Sequence, residues 1–151
     1  MDLIPKLPSS TSRFMFCWLD KGTEGTIIQE IEEQNIQILN IGKEISHSIK
    51  SDDGRSTLPF KVTHKLEEEL DKQAVTIEGY DCPIIAIENI GAVKEPDLKI
   101  DFEQILNDIC RSVCVILIWN DQYEDGKFIV ESDYNYQVYL SFSQPVTELS
   151  F

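Results

Sequence analysis

Residues 113–119, Val-Cys-Val-Ile-Leu-Ile-Trp, form the longest uninterrupted apolar run in the chain. With no polar position on either alternate face, the run predicts a central strand covered on both sides. Two shorter runs, 13–18 and 83–89, predict buried strands of the same kind, and 36–41 predicts a fourth with partial alternation. Between them the spacing changes. Ile27, Ile28 and Ile31 mark one face of a short helix, and Ile45 and Ile49 suggest another turn or two. Val62, Leu66 and Leu70 recur every four residues behind Pro59, leaving Lys65, Glu67, Glu68, Glu69 and Lys72 for a solvated face. Asp101 with Gln104 reads as a helix cap, followed by Phe102, Ile105, Leu106 and Ile109 at i, i+3, i+4 and i+7. Asp125-Gly126 reads as a tight turn, and Tyr136, Val138, Leu140 and Phe142 alternate as a last strand.

Five strands with helices between the first four predict an α/β three-layer sandwich around a mostly parallel sheet, because parallel strands need crossover connections. Residues 1–12, with two prolines and a Ser-Ser-Thr-Ser run, read as a flexible amino-terminal arm before a single domain spanning 13–151. A chain of 151 residues suffices for one such core.

Composition narrows the functional classes. The formal charge is −14, from 27 acidic against 13 basic residues, which repels phosphate backbones and anionic membranes. Direct nucleic-acid binding and membrane association are therefore not expected, and a basic surface on a protein partner is; self-association stays open. The opening residues lack the basic region of a secretory signal and no apolar run is long enough for a span, so a cytoplasmic location is expected. Cys17, Cys82, Cys110 and Cys114 show no Cys-x-x-Cys spacing and are joined by only two histidines, so no metal site is expected. Buried thiols acting as small apolar residues account for them.

Candidate chemistry lies where buried strands end in polar residues, since open parallel sheets place ligands outside the carboxyl ends of their strands. The turn at 19–26 joins a strand to a helix, where a phosphate-binding loop would sit. Such a loop needs glycines so that backbone N–H groups face the phosphates, a lysine for the terminal phosphates and a hydroxyl for Mg²⁺. With Thr26 in the hydroxyl position of G-x-x-x-x-G-K-[ST], Leu19 replaces the first glycine, Glu24 the second and Gly25 the lysine. Gly22 and Gly25 keep the turn open, but Glu24 would put a carboxylate where an anion should sit, and a plain strand-to-helix connection explains the pattern better. Glu88 and Asn89 follow one buried strand and Asn120 another; polar strand ends are common, and three at one edge say more than any one alone. His47 and His64 sit in helical segments without a companion nucleophile and read as surface or boundary residues.

The strand ending Ile87-Glu88-Asn89-Ile90, the helix start Leu98-x-x-Asp101, and the run Trp119-Asn120-Asp121-Gln122-Tyr123-Glu124-Asp125-Gly126-Lys127 resemble the BrxF-like small P-loop proteins of BREX bacterial phage-defence systems. The similarity extends over about residues 13–142. It implies a P-loop-NTPase-like domain with strand order 5-1-4-3-2 and Asn120 in a sensor-like position. The chain departs from the family in lacking the phosphate-loop lysine and glycines, a degenerate Walker A, and in carrying Glu88 where aspartate is usual. The resulting expectation is a pseudo-ATPase: a non-catalytic scaffold of an antiviral defence system, without cofactor, in contact with other defence proteins. Gly22, Gly25, Thr26, Glu88, Asn89 and Asn120 would be the remnant of its nucleotide site. Alternatives are a weak ATP- and Mg²⁺-binding switch in the same system, or an acidic inhibitor or immunity protein.

Overall fold

The computed structural model describes residues 3–20, 25–51, 58–94, 98–119, 123–131 and 137–149. In chain order the elements are β1 (Phe16–Asp20), α1 (Gly25–Glu33), β2 (Ile38–Asn40), α2 (Ile41–Ser51), α3 (Leu58–Gln73), β3 (Ile84–Glu88), α4 (Phe102–Ile109), β4 (Cys114–Trp119), β5 (Tyr123–Glu124), β6 (Lys127–Glu131), β7 (Gln137–Ser141) and β8 (Thr147–Glu148). The principal sheet runs β2-β3-β4-β1-β8 with every pairing parallel, which is the expected order 5-1-4-3-2 read in reverse. β4 lies at its centre, between β1 and β3, and all six of its residues are buried.

Strand alternation divides the apolar side chains between two layers. Phe16, Trp18, Leu39, Ile85, Ile87, Val115, Leu117 and Trp119 face α2, α3 and α4, which contribute Ile45, Val62, Leu66, Leu70, Phe102, Ile105 and Leu106. Cys17, Leu19, Ile84, Ala86, Cys114, Ile116 and Ile118 face Ile27 and Ile31 of α1, together with Ile36, Ile77, Tyr80 and Leu149. Fully burying each branched side chain contributes roughly 1.5–3 kcal/mol relative to exposure, so the two-sided run over β4 is the strongest local determinant of the sheet.

Three sequence expectations need correction. The alternating segment ending near Phe142 is not the fifth strand of the principal sheet; it is β7, which pairs antiparallel with β6 in a separate sheet, β5-β6-β7. Strict alternation belongs to a sheet with one covered face, and that face packs Phe128 and Leu140 onto the first apolar layer. The fifth strand is β8, pairing Thr147 and Glu148 with Cys17 and Trp18. The amino-terminal segment is also docked over its described part rather than a loose arm. Leu3 and Leu7 are buried in the second layer around a 3-10 turn at Ile4–Lys6, and the Tyr80 hydroxyl donates to the Pro8 carbonyl at 2.6 Å. Two leucines a turn apart outweigh the loop signals of the prolines and serines.

Glu69 departs from its expected solvated face. Its side chain is 9% exposed and accepts hydrogen bonds from Lys65 Nζ at 2.9 Å and Gln73 Nε2 at 3.1 Å along α3. The Lys65 hydrogen bond, then that of Gln73, holds the carboxyl below its ordinary value of 4.5 despite burial. A depressed carboxyl contributes stability that is complete above the unfolded value and is lost as pH falls through the lower folded one. Urea midpoints measured from neutral pH downwards should therefore fall with a steeper slope below 4.5 for the parent than for Glu69→Gln. Parallel slopes for the two proteins would assign the acid sensitivity elsewhere.

Candidate functional site

Asp20, Asn40, Glu88 and Trp119 end β1, β2, β3 and β4 at the carboxyl edge of the sheet, which holds Glu88 of the strand ends picked out by sequence, with Asn89 directly after it. Asp20 is in register with Trp119, and Asn40 with Glu88. The structure places Glu88 half-buried and Asn89 exposed just beyond it. Gly25 opens α1, with Thr26 behind it. Gly22, Asn120 and the Thr26 side chain lie outside what is described.

Asn89 has a definite local task. Its backbone is in the left-handed region, φ 56°, a conformation asparagine tolerates better than most residues. From there its Nδ2 donates to Asn40 Oδ1 at 2.9 Å and its carbonyl accepts from the Gly42 N–H at 3.0 Å. Asn40 Oδ1 also accepts from the Lys43 N–H at 2.9 Å, three residues on, which makes Asn40 the N-cap of α2. The end of β3 is thus fastened to the start of α2. Because the Gly42 and Lys43 N–H groups are both taken, they are not available to cradle an anion there.

Of the run 119–127, the described residues, Trp119 and 123–127, form a hairpin and its anchor. Asp125 and Gly126, with φ 51° and 78°, make the two-residue turn between β5 and β6, pairing Tyr123 with Phe128 and Glu124 with Lys127. Positive φ at both central positions is the type I′ requirement, which Asp-Gly meets. Tyr123 lies 4.5 Å from the Trp18 ring and 4.7 Å from Phe128, and Trp119 meets Phe128 edge-on at 5.7 Å. Trp119 and Tyr123 thus help hold the small sheet on the large one, while Glu124, Asp125, Gly126 and Lys127 are exposed. Lys127 Nζ sits 4.4 Å from the centre of the Tyr139 ring. Trp18 and Trp119, each 6% exposed, lie beneath this hairpin.

Sequence reasoning missed a groove of about 330 Å³ beside β2, lined by residues 37–40, by Lys43, Glu44 and His47 of α2, and by Gln73 of α3. The available signal was the row Asn40, Lys43, Glu44 and His47 at helical spacing, opposite the buried Ile41 and Ile45. Chemistry through sulfur finds little support: Cys17, Cys110 and Cys114 have no exposed surface, and burial pushes the Cys17 and Cys110 thiols up. Among the described residues no group of three or more His, Cys, Asp and Glu could hold a metal ion, and no helix is long and apolar enough to cross a membrane. No protein-family model matches the chain, and neither a curated protein nor a solved structure matches it.

Proposed function

We propose that the chain is a non-catalytic, P-loop-like accessory protein of a bacterial anti-phage defence system of the BREX type, acting through contacts with larger defence components that present a basic surface. The observation that carries a non-catalytic reading is the Asn89–Asn40–Gly42 junction: strand-end amides where a nucleotide site would be sought are committed to holding β3 against α2. The formal charge of −14 supports a basic protein partner. The hairpin motif supplies the resemblance to the defence family.

A second reading, a weak nucleotide switch, draws on topology. β1 leads towards α1, β1 and β3 flank β4, and Glu88 closes β3 at the sheet edge where nucleotide folds bind phosphate and Mg²⁺. Without the lysine a favourable charge is missing; a unit charge about 4 Å from a phosphate is worth roughly 4 kcal/mol at an effective dielectric of 20. Millimolar Mg-ATP should accordingly leave tryptophan fluorescence unchanged. In a strain deleted for the gene, Glu88→Ala and Thr26→Ala should restore phage protection as fully as the parent. A saturable fluorescence change abolished by either substitution, with protection lost in the same variants, would instead establish the switch. Full protection in the deleted strain itself would remove the defence reading.

A further inference from the structure

We propose that the groove beside β2 binds an extended, basic peptide segment of a partner protein, which adds to the principal sheet as a further strand. β2 is the edge strand, paired with β3 alone among the described residues. In a parallel ladder alternate residues of a strand turn their N–H and C=O groups to opposite sides. The Gln37 carbonyl accepts from the Ala86 N–H at 2.9 Å, so residues 37 and 39 address β3 and Ile38 turns its backbone groups away from it. An edge of that kind is a template for another chain's backbone.

The groove lies along the same edge. About 330 Å³ suits a short length of extended chain, matching the three residues of β2. Its charged lining is balanced, Lys43 against Glu44, so the groove itself favours backbone and uncharged contacts over any one sign. Charge selects the occupant at longer range. Two copies of a chain carrying −14 repel, which disfavours β2 pairing with β2 of a second copy, whereas a basic segment is drawn to the surface and its backbone then meets the edge. Three residues of pairing give a reversible contact rather than a permanent one. The basic character of the segment rests on the proposed partner reading; edge pairing does not.

The probe is a fluorescein-labelled peptide of about seven alternating lysines and valines, with an alternating glutamate–valine peptide and a lysine–valine peptide N-methylated on both edges as comparisons. Anisotropy with the full chain near 0.15 M salt should show saturable binding of the first, and at least about tenfold weaker binding of the other two. Amide shifts should centre on Ile38 and Asn40. Ile38→Pro removes an N–H that β3 does not use, which a strand edge tolerates, and should weaken binding by a similar factor with the far-ultraviolet spectrum retained. Equal affinity for the N-methylated peptide overturns edge pairing while leaving the basic-partner reading intact. Equal affinity for the acidic peptide overturns the basic specificity and with it the charge argument for the partner. Sedimentation showing a dimer that Ile38→Pro abolishes makes a second copy the occupant and overturns the proposal. Should Ile38→Pro fail to fold, the N-methylated peptide decides alone.

Discussion

Phe128→Ala is expected to lower stability by about 3–5 kcal/mol, the range for emptying a buried phenylalanine site. Phe128 is fully buried, with its ring 6.2 Å from Phe16, 5.6 Å from Trp18, 5.7 Å from Trp119 and 4.7 Å from Tyr123. The first three contacts are edge-on, at 85°, 89° and 82°, the arrangement that aromatic quadrupoles favour. Its side chain crosses between layers: the backbone belongs to β6 of the small sheet, and the ring lies in the apolar layer of the large one. Truncation therefore leaves a cavity and loosens the docking of β5-β6-β7 together. For a chain of this length each kcal/mol moves the thermal midpoint by about 2–4 °C, so a fall on the order of 10 °C is expected. Tryptophan emission should shift to the red early in unfolding, because Trp18 and Trp119 lose their cover. Tyr139→Ala, at a residue 45% exposed, is the control and should cost no more than about 1 kcal/mol. A Phe128→Ala loss as small as that of Tyr139→Ala would mean the small sheet is held by other contacts.

The part of the fold readable from sequence is the part that burial on two sides dictates. Residues 113–119 had to lie in the middle because no polar face existed, and the shorter runs at β1 and β3 fell beside it for the same reason. The Asp125-Gly126 turn was legible because few residue pairs suit two successive positive φ values. β8 was not. Thr147 and Glu148 are both exposed and pair through backbone alone, so they leave no hydrophobic pattern to read. The charge run around Glu69 reads as a solvated face, yet the residue is buried, and its partners at i−4 and i+4, Lys65 and Gln73, make that burial tolerable. Asn89 could be recognised as a polar strand end, but its partner Asn40 is 49 residues away in sequence, so its structural task emerges only in three dimensions. The groove at β2 stayed hidden for a related reason: its lining comes from a strand and two helices, and only the α2 portion is periodic.

Gly42→Ala is expected to destabilise, although helix propensity alone predicts a gain of up to about 1 kcal/mol from the same change in a helix interior. A Cβ on residue 42 would run into the Asn89 carboxamide and lie 3.3 Å from the Asn89 carbonyl oxygen, the atom that accepts the Gly42 N–H. Rotating the carboxamide aside gives up its hydrogen bond to Asn40, and the backbone oxygen cannot rotate with it. Crowding of this type typically costs about 1–3 kcal/mol, so even after the full propensity gain the net effect is a loss of up to about 2 kcal/mol. Asn89→Gly supplies the complementary change. It removes the obstructing side chain and suits the φ of 56°, giving up one exposed hydrogen bond that is worth about 0.5–1.5 kcal/mol. In the double variant the alanine meets only backbone, so the combined loss should fall short of the sum of the single losses by about 1 kcal/mol. Urea denaturation of the four proteins measures that coupling directly. Additive losses, or a Gly42→Ala protein more stable than its parent, would show that β3 is not clamped to α2 through Asn89 and would reopen Asn89 as a residue free for ligand.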